Sequence, residues 1–190
     1  MLLIKKILHT RFRLLMSCVI ISLLPLFAAA QTDSTSGQKD FDFEIGTWKT
    51  KLKLLKNPLS GAAAVWVDYE GTSIVKKVCD GKANLVELDV KGPSRRIEGV
   101  SLRLYNPETK QWTLNFANMR DGSLAIPATG SFKNNRGEFF NEDSFKDKKI
   151  LVRFVISDIT ANSCHFEQAY STDNGKTWEV NWIADDTRIK

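Results

Sequence analysis

The 190-residue chain carries 27 basic and 22 acidic side chains, a net charge of +5, and 43% hydrophobic residues. Four of the basic residues and none of the acidic ones precede Gln31, so the remainder is nearly neutral, at about +1. That balance excludes a charge-driven nucleic-acid surface, and roughly 160 residues suit one domain with a substantial core.

At the start, Lys5, Lys6, Arg11 and Arg13 precede an apolar run from Leu14 to Phe27, followed by Ala28-Ala29-Ala30. A basic start, an apolar middle and small residues before the cut predict a signal peptide over residues 1–30, cleaved after Ala30. The product is expected to be periplasmic or secreted. The apolar run falls short of the roughly 20 residues that cross a bilayer, so no membrane span is expected after cleavage. Residues 31–39, QTDSTSGQK, are small and polar and read as a disordered leader. A single β-barrel domain is expected over 40–190.

A short helical turn is predicted at Asp40–Ile45. Alternating apolar positions then predict strands at Thr47–Leu55, Ala64–Val78, Leu85–Val90, Arg96–Tyr105 and Gln111–Asn118. Five more follow at Leu124–Lys133, Gly137–Phe145, Lys149–Ile159, Cys164–Ser171 and Trp178–Asp186. Gly71 suggests a bulge or break, and Asp80-Gly81 and Asp121-Gly122 mark turns. About ten strands with short connections predict an all-β, antiparallel up-and-down barrel, because closure removes the edges an open sheet would expose. A two-sheet sandwich is the alternative.

The segment Phe41-Asp42-Phe43-Glu44-Ile45-Gly46-Thr47-Trp48 resembles the opening of the calycin barrels, the lipocalins and fatty-acid-binding proteins. The resemblance implies structural roles. Gly46 lets the chain swing into the first strand, Trp48 plugs the closed end, and Arg188 packs across its ring. Ser171-Thr172-Asp173-Asn174-Gly175-Lys176-Thr177-Trp178 is similar to the Asp-box hairpin of sialidase propellers. Asp173 is expected to cap the turn amides, Gly175 to take positive φ, and Trp178 to pack back on the hairpin. One box without further sialidase features argues for structure and not for a glycosidase.

A longer resemblance runs through SLRLYNPETKQW (101–112), GEFFNEDSF (137–145), ILVRFVISDIT (150–160) and HFEQAYSTDNGKTWEVNWI (165–183). Together with the FDFxxGxW opening, these motifs look like a family of secreted bacterial proteins known as a domain of unknown function. The resemblance spans Phe41 to about Arg188. It implies an exported barrel-like module and brings no activity.

Charged residues embedded in apolar strands are the candidate site. Arg103 and Arg153 are placed to clamp a ligand carboxylate, with Glu142 and Glu167 as further ligand contacts or as their ion-pair partners. Because alternate strand residues face outward, an outer-face position for the same four side chains stays open. The leading expectation is a barrel that binds a small, partly apolar or carboxylate ligand. The alternatives are a hydrolase using Glu142 or Glu167, with Asp143 nearby, and a ligand-free structural or interaction module. No cofactor is expected: the glycine pattern of haem-binding barrels is missing from Lys49–Lys56, which leaves His165 without that context. Cys79, Cys164 and His165 do not form a zinc ligand set, although the two cysteines are candidates for a disulfide. Oligomeric state is left open.

Overall fold

The computed structural model describes residues 37–189. The expected signal peptide, its cleavage site and the leader up to Ser36 lie outside them. Gly37–Lys39, expected in the leader, form part of a turn: the Gly37 carbonyl accepts from the Asp40 amide and, at 2.9 Å, from Trp112 Nε1.

A 3-10 turn, η1 (Asp42–Glu44), leads into β1 (Gly46–Leu55) and β2 (Trp66–Val78). A second turn, η2 (Cys79–Gly81), connects to β3 (Ala83–Lys91), β4 (Arg96–Asn106) and β5 (Gln111–Asn118). After the two-residue β6 (Ser123–Leu124) come β7 (Ala128–Lys133), β8 (Arg136–Phe145) and β9 (Lys148–Ser157). The described chain ends with β10 (Ser163–Ser171) and β11 (Glu179–Arg188). Each strand pairs antiparallel with the next, β6 being a stub on β5 that the β5–β7 pairing bypasses. The β1–β11 ladder, from Trp48↔Arg188 to Leu54↔Trp182, closes the ring. The result is a closed ten-stranded antiparallel up-and-down barrel of calycin-like form.

Two local expectations change. The predicted strand Leu124–Lys133 is split: Pro127 has no amide to donate to a ladder, and residues 125–127 are not strand, although the Ala125 amide still donates to the Phe116 carbonyl at 2.8 Å. Gly71 makes no bulge; the β1–β2 and β2–β3 registers run through it without a shift. A Cβ there would lie 2.0 Å from the Asp89 carbonyl oxygen, so glycine permits a close backbone approach.

One end of the barrel is sealed by its own leading segment. Phe41 is buried against Trp112 and Phe132, both edge-to-face at 4.9 Å, and stacks on Phe139 at 5.9 Å. Each such ring contributes roughly 2–3 kcal/mol by burial, and well-oriented ring pairs about 0.5–1.5 kcal/mol more. Beside them Trp48 is fully buried and donates from Nε1 to the Glu44 carbonyl at 2.6 Å. The Arg188 guanidinium lies 4.1 Å from the Trp48 ring centre. It donates to the carbonyls of Ala161 (2.7 Å), Ile45 (2.8 Å) and Phe43. Gly46, at φ 137°, makes the turn from η1 into β1 that brings those carbonyls under the arginine.

Candidate ligand-binding cavity

Strand parity decides what faces inward. On β1 the inner row is Trp48, Thr50, Leu52 and Leu54; on β4 it is Ile97, Gly99, Ser101 and Arg103. Above the aromatic plug these rows do not fill the ring. They leave a cavity of about 610 Å³ that opens at the opposite end, where Arg95, Arg120 and Ile126 form part of the rim. Pockets of several hundred Å³ are the size that encloses most of a small ligand.

The walls are mainly apolar, with Val86, Leu88, Leu114, Phe116, Phe154 and Trp182 prominent. A polar stripe of Asn141, Asp143, Gln168 and Tyr170 climbs one side. Gln168 donates from Nε2 to Asn181 Oδ1 at 2.8 Å and to the Tyr170 hydroxyl at 3.3 Å. Burial, assisted by the Asp143 charge, raises the Tyr170 phenol above its ordinary pKa, so the stripe presents a neutral hydroxyl. Gln168 and Tyr170, two apart on β10, share its inner face; opposite them, the register shift between Gln168 and Ala169 leaves Asn181 as the extra residue on β11.

The floor carries the charge. Arg103 donates to both carboxylate oxygens of Glu44, through Nη2 to Oε1 at 3.2 Å and through Nη1 to Oε2. Both residues are buried, and the guanidinium lies 4.3 Å from the Phe41 ring centre. The pair therefore ties the leading segment, through η1, to β4 of the wall. Asp186, directly opposite Thr50 on the neighbouring strand, is 4% exposed. Burial raises its carboxyl to about 7; Thr50 opposes this by hydrogen bonding, Glu44 and Asp185 add to it, and Arg103 partly offsets it. Thr50 and Ser73 share a hydrogen bond of 2.7 Å beside it. Three buried atoms at this level have no hydrogen-bond partner among the described residues: Asp186 Oδ1, Arg103 Nε and Asn84 Oδ1. Asn84 is the direct cross-strand neighbour of Arg103.

The four embedded charges of the sequence therefore separate. Arg103 lines the cavity. Arg153 does not: Val152 and Phe154 take the inner positions of β9, and the Arg153 guanidinium lies on the outer side, 4.6 Å from the Trp178 ring centre. Glu142 is outward and exposed between the cavity-lining Asn141 and Asp143. Glu167 is outward between Phe166 and Gln168, and accepts from His165 Nε2 at 3.3 Å. Neither glutamate pairs with an inward arginine, and neither reaches the cavity, so a shared catalytic site inside the barrel is not what these two build.

His165 also stands on the outer wall, with Asp185 Oδ1 2.7 Å from its Nδ1. Burial alone would lower its pKa, but the hydrogen bonds and charges of Asp185 and Glu167 outweigh it and raise the imidazole. Among the described residues no group of three histidine, cysteine or acidic side chains is placed to hold a metal ion. Cys79 is exposed and Cys164 buried, and both are free thiols, so the candidate disulfide is not formed. Burial, then the Glu44 and Asp186 charges, push the Cys164 thiol far up, which makes it a poor nucleophile.

The Asp-box hairpin is a bracket on the rim. Asp173 accepts from the Thr177 hydroxyl (2.6 Å), the Thr177 amide (2.9 Å) and Ser171 Oγ (2.8 Å), bonds that hold its carboxyl down at about 2. Gly175 takes φ 82°, and its carbonyl accepts from Trp178 Nε1 at 3.0 Å. This fixes Trp178 over Arg153 and beside Phe140, at 6.2 Å between ring centres.

Comparison with known proteins adds the fold. An S-type phycobiliprotein lyase, CPES from Guillardia theta, superposes with a TM-score of 0.54 at 11% identity, covering 80% of this chain and 92% of that one. A protein of unknown function from the DUF3598 family of Nostoc punctiforme covers 80% of this chain and 99% of its own, at 7% identity and a TM-score of 0.21. No family profile matches the chain, and no curated protein matches it. Likeness at 11% identity establishes a shared barrel architecture, and the conclusion at this point is a calycin-like barrel.

Proposed function

We propose that the protein is an exported carrier whose barrel holds a small, partly apolar molecule in its interior. The observation that carries this reading is the cavity of about 610 Å³, open at one end, with apolar walls above a charged floor. A protein built only for structure gains by filling such a space, since each unfilled volume forfeits packing contacts. The signal-peptide pattern of residues 1–30 supports export. The ordered motifs between Phe41 and Arg188 support membership of the secreted domain-of-unknown-function family described above. The lyase supports the reading only as another barrel of this architecture.

The test is native mass spectrometry of protein recovered from its own compartment, followed by extraction of the bound molecule. A mass adduct in the natural protein that is lost in Leu88→Trp, where a larger ring projects into the cavity, is the expected result. An adduct unchanged by Leu88→Trp would place the ligand elsewhere. No adduct, together with no uptake of the neutral fluorescent probe N-phenyl-1-naphthylamine, would overturn the carrier reading.

A further inference from the structure

We infer that the polar end of the ligand is a hydrogen-bond donor, an amine or an alcohol on an apolar body, seated on the floor against Asp186, and that carboxylate amphiphiles are disfavoured. This rests on the carrier reading and names its ligand class. The floor holds unused hydrogen-bonding capacity. Arg103 is the only inward cation at the floor among the described residues, and Glu44 engages both of its terminal nitrogens. A ligand carboxylate would have to compete with a carboxylate already covalently fixed in place. It would also lie close to Glu44 and Asp186, and like charges at low dielectric repel strongly.

What the floor still offers is one acceptor and one donor, Asp186 Oδ1 and Arg103 Nε, both buried, without partners among the described residues and on residues that line the cavity. Asn84 Oδ1 is unpaired as well, but Asn84 is not among the lining residues. All three residues are more than nine-tenths buried. Leaving such atoms unpaired costs about 1–3 kcal/mol each, so a head group that supplies N–H or O–H donors recovers what folding gave up. An ammonium does more, because it draws Asp186 into its ionised form and balances the charge. The groups that face Asp186 agree with this. Glu44 from η1 and Asp185 from its own strand favour the protonated acid; Arg103 from β4 and Thr50 from β1 favour the ionised one; Cys164 from β10 stays a neutral thiol. The carboxyl of Asp186 titrates near neutrality, so a cation arriving at pH 7 displaces a proton.

The experiment uses decylamine, decanol and decanoate to displace N-phenyl-1-naphthylamine from the natural protein, with calorimetry at pH 7 in two buffers of different ionisation enthalpy. Decylamine and decanol are expected to bind at least tenfold more tightly than decanoate. Decylamine should release a substantial fraction of a proton, and decanol none. Asp186→Asn, which removes a charge without removing volume, should weaken decylamine about tenfold more than it weakens decanol. Decanoate binding as tightly as decylamine, with the probe still displaced, would overturn the donor-head inference while the carrier reading stands. Failure of the probe and all three amphiphiles to bind would overturn the carrier reading, and this inference with it.

Discussion

The sealed end and the floor above it are made from neighbouring residues under opposite rules. At the sealed end Trp48, Trp112 and Arg188 donate to backbone carbonyls, and aromatic rings fill the space between them. One layer higher, Asp186 and Arg103, both lining the cavity, keep unpaired atoms. The first arrangement is what maximises stability. The second costs stability, and such departures from full satisfaction are where binding capacity is found. Glu44 belongs to both: its backbone carbonyl holds Trp48, and its side chain holds Arg103.

Mutations at the junction and at the seal should therefore destabilise, whereas Asp186→Asn on the floor should not. The largest effect is expected at the junction. Glu44→Ala leaves Arg103 as a buried, uncompensated charge, a change that costs about 3–5 kcal/mol. Urea denaturation should show the midpoint falling with the slope unchanged. The double variant Glu44→Leu with Arg103→Met removes both charges and should recover most of the loss. If Glu44→Ala alone were silent, the junction would not couple seal to wall.

Arg188→Ala should cost about 2–3 kcal/mol, because three carbonyls lose a donor and Trp48 loses its stacked cation. Arg188→Lys should recover less than half, since an ammonium cannot reproduce the planar fork that reaches three acceptors. Thermal unfolding followed by tryptophan fluorescence reads both variants.

How much of this could be read in advance differs between frame and site. The barrel was accessible because alternating apolar positions and the Asp-Gly turns between them are local signals that agree with one another. The inner face was harder, because parity has no local marker when both faces of a strand carry apolar residues. On β4 the leucines flanking Arg103, Leu102 and Leu104, are 36% and 44% exposed, and it is the arginine that enters the barrel. On β9 the pattern around Arg153 looks the same, yet Trp178 from the Asp-box hairpin covers that arginine from outside. Two charges that matter most gave little warning. Glu44 lies inside the opening motif, where the rings around it draw the attention. Asp186 follows Asp185 directly, and only closure of β11 on β1 decides which of the two faces in.

The smallest effect, and the one of opposite sign, is expected at Asp186. Its folded pKa, about 7, lies above the ordinary carboxyl value of 3.8. Between those two values the folded state binds more protons than the unfolded one, so stability falls as pH rises from about 4 to about 7. Below that window the acid is neutral in both states and costs nothing; above it the full cost of a buried carboxylate is present and constant. A separation of roughly three pKa units is worth at most about 4 kcal/mol. Asparagine keeps a buried polar group at the same place, so Asp186→Asn should recover only about 2 kcal/mol at pH 8 and nothing at pH 4. Urea midpoints measured at both pH values test this, with the natural protein showing the larger decline. A variant less stable than the natural protein at pH 8 would mean that the ionised carboxylate supports the floor, and the contrast between a satisfied seal and an unsatisfied floor would fail.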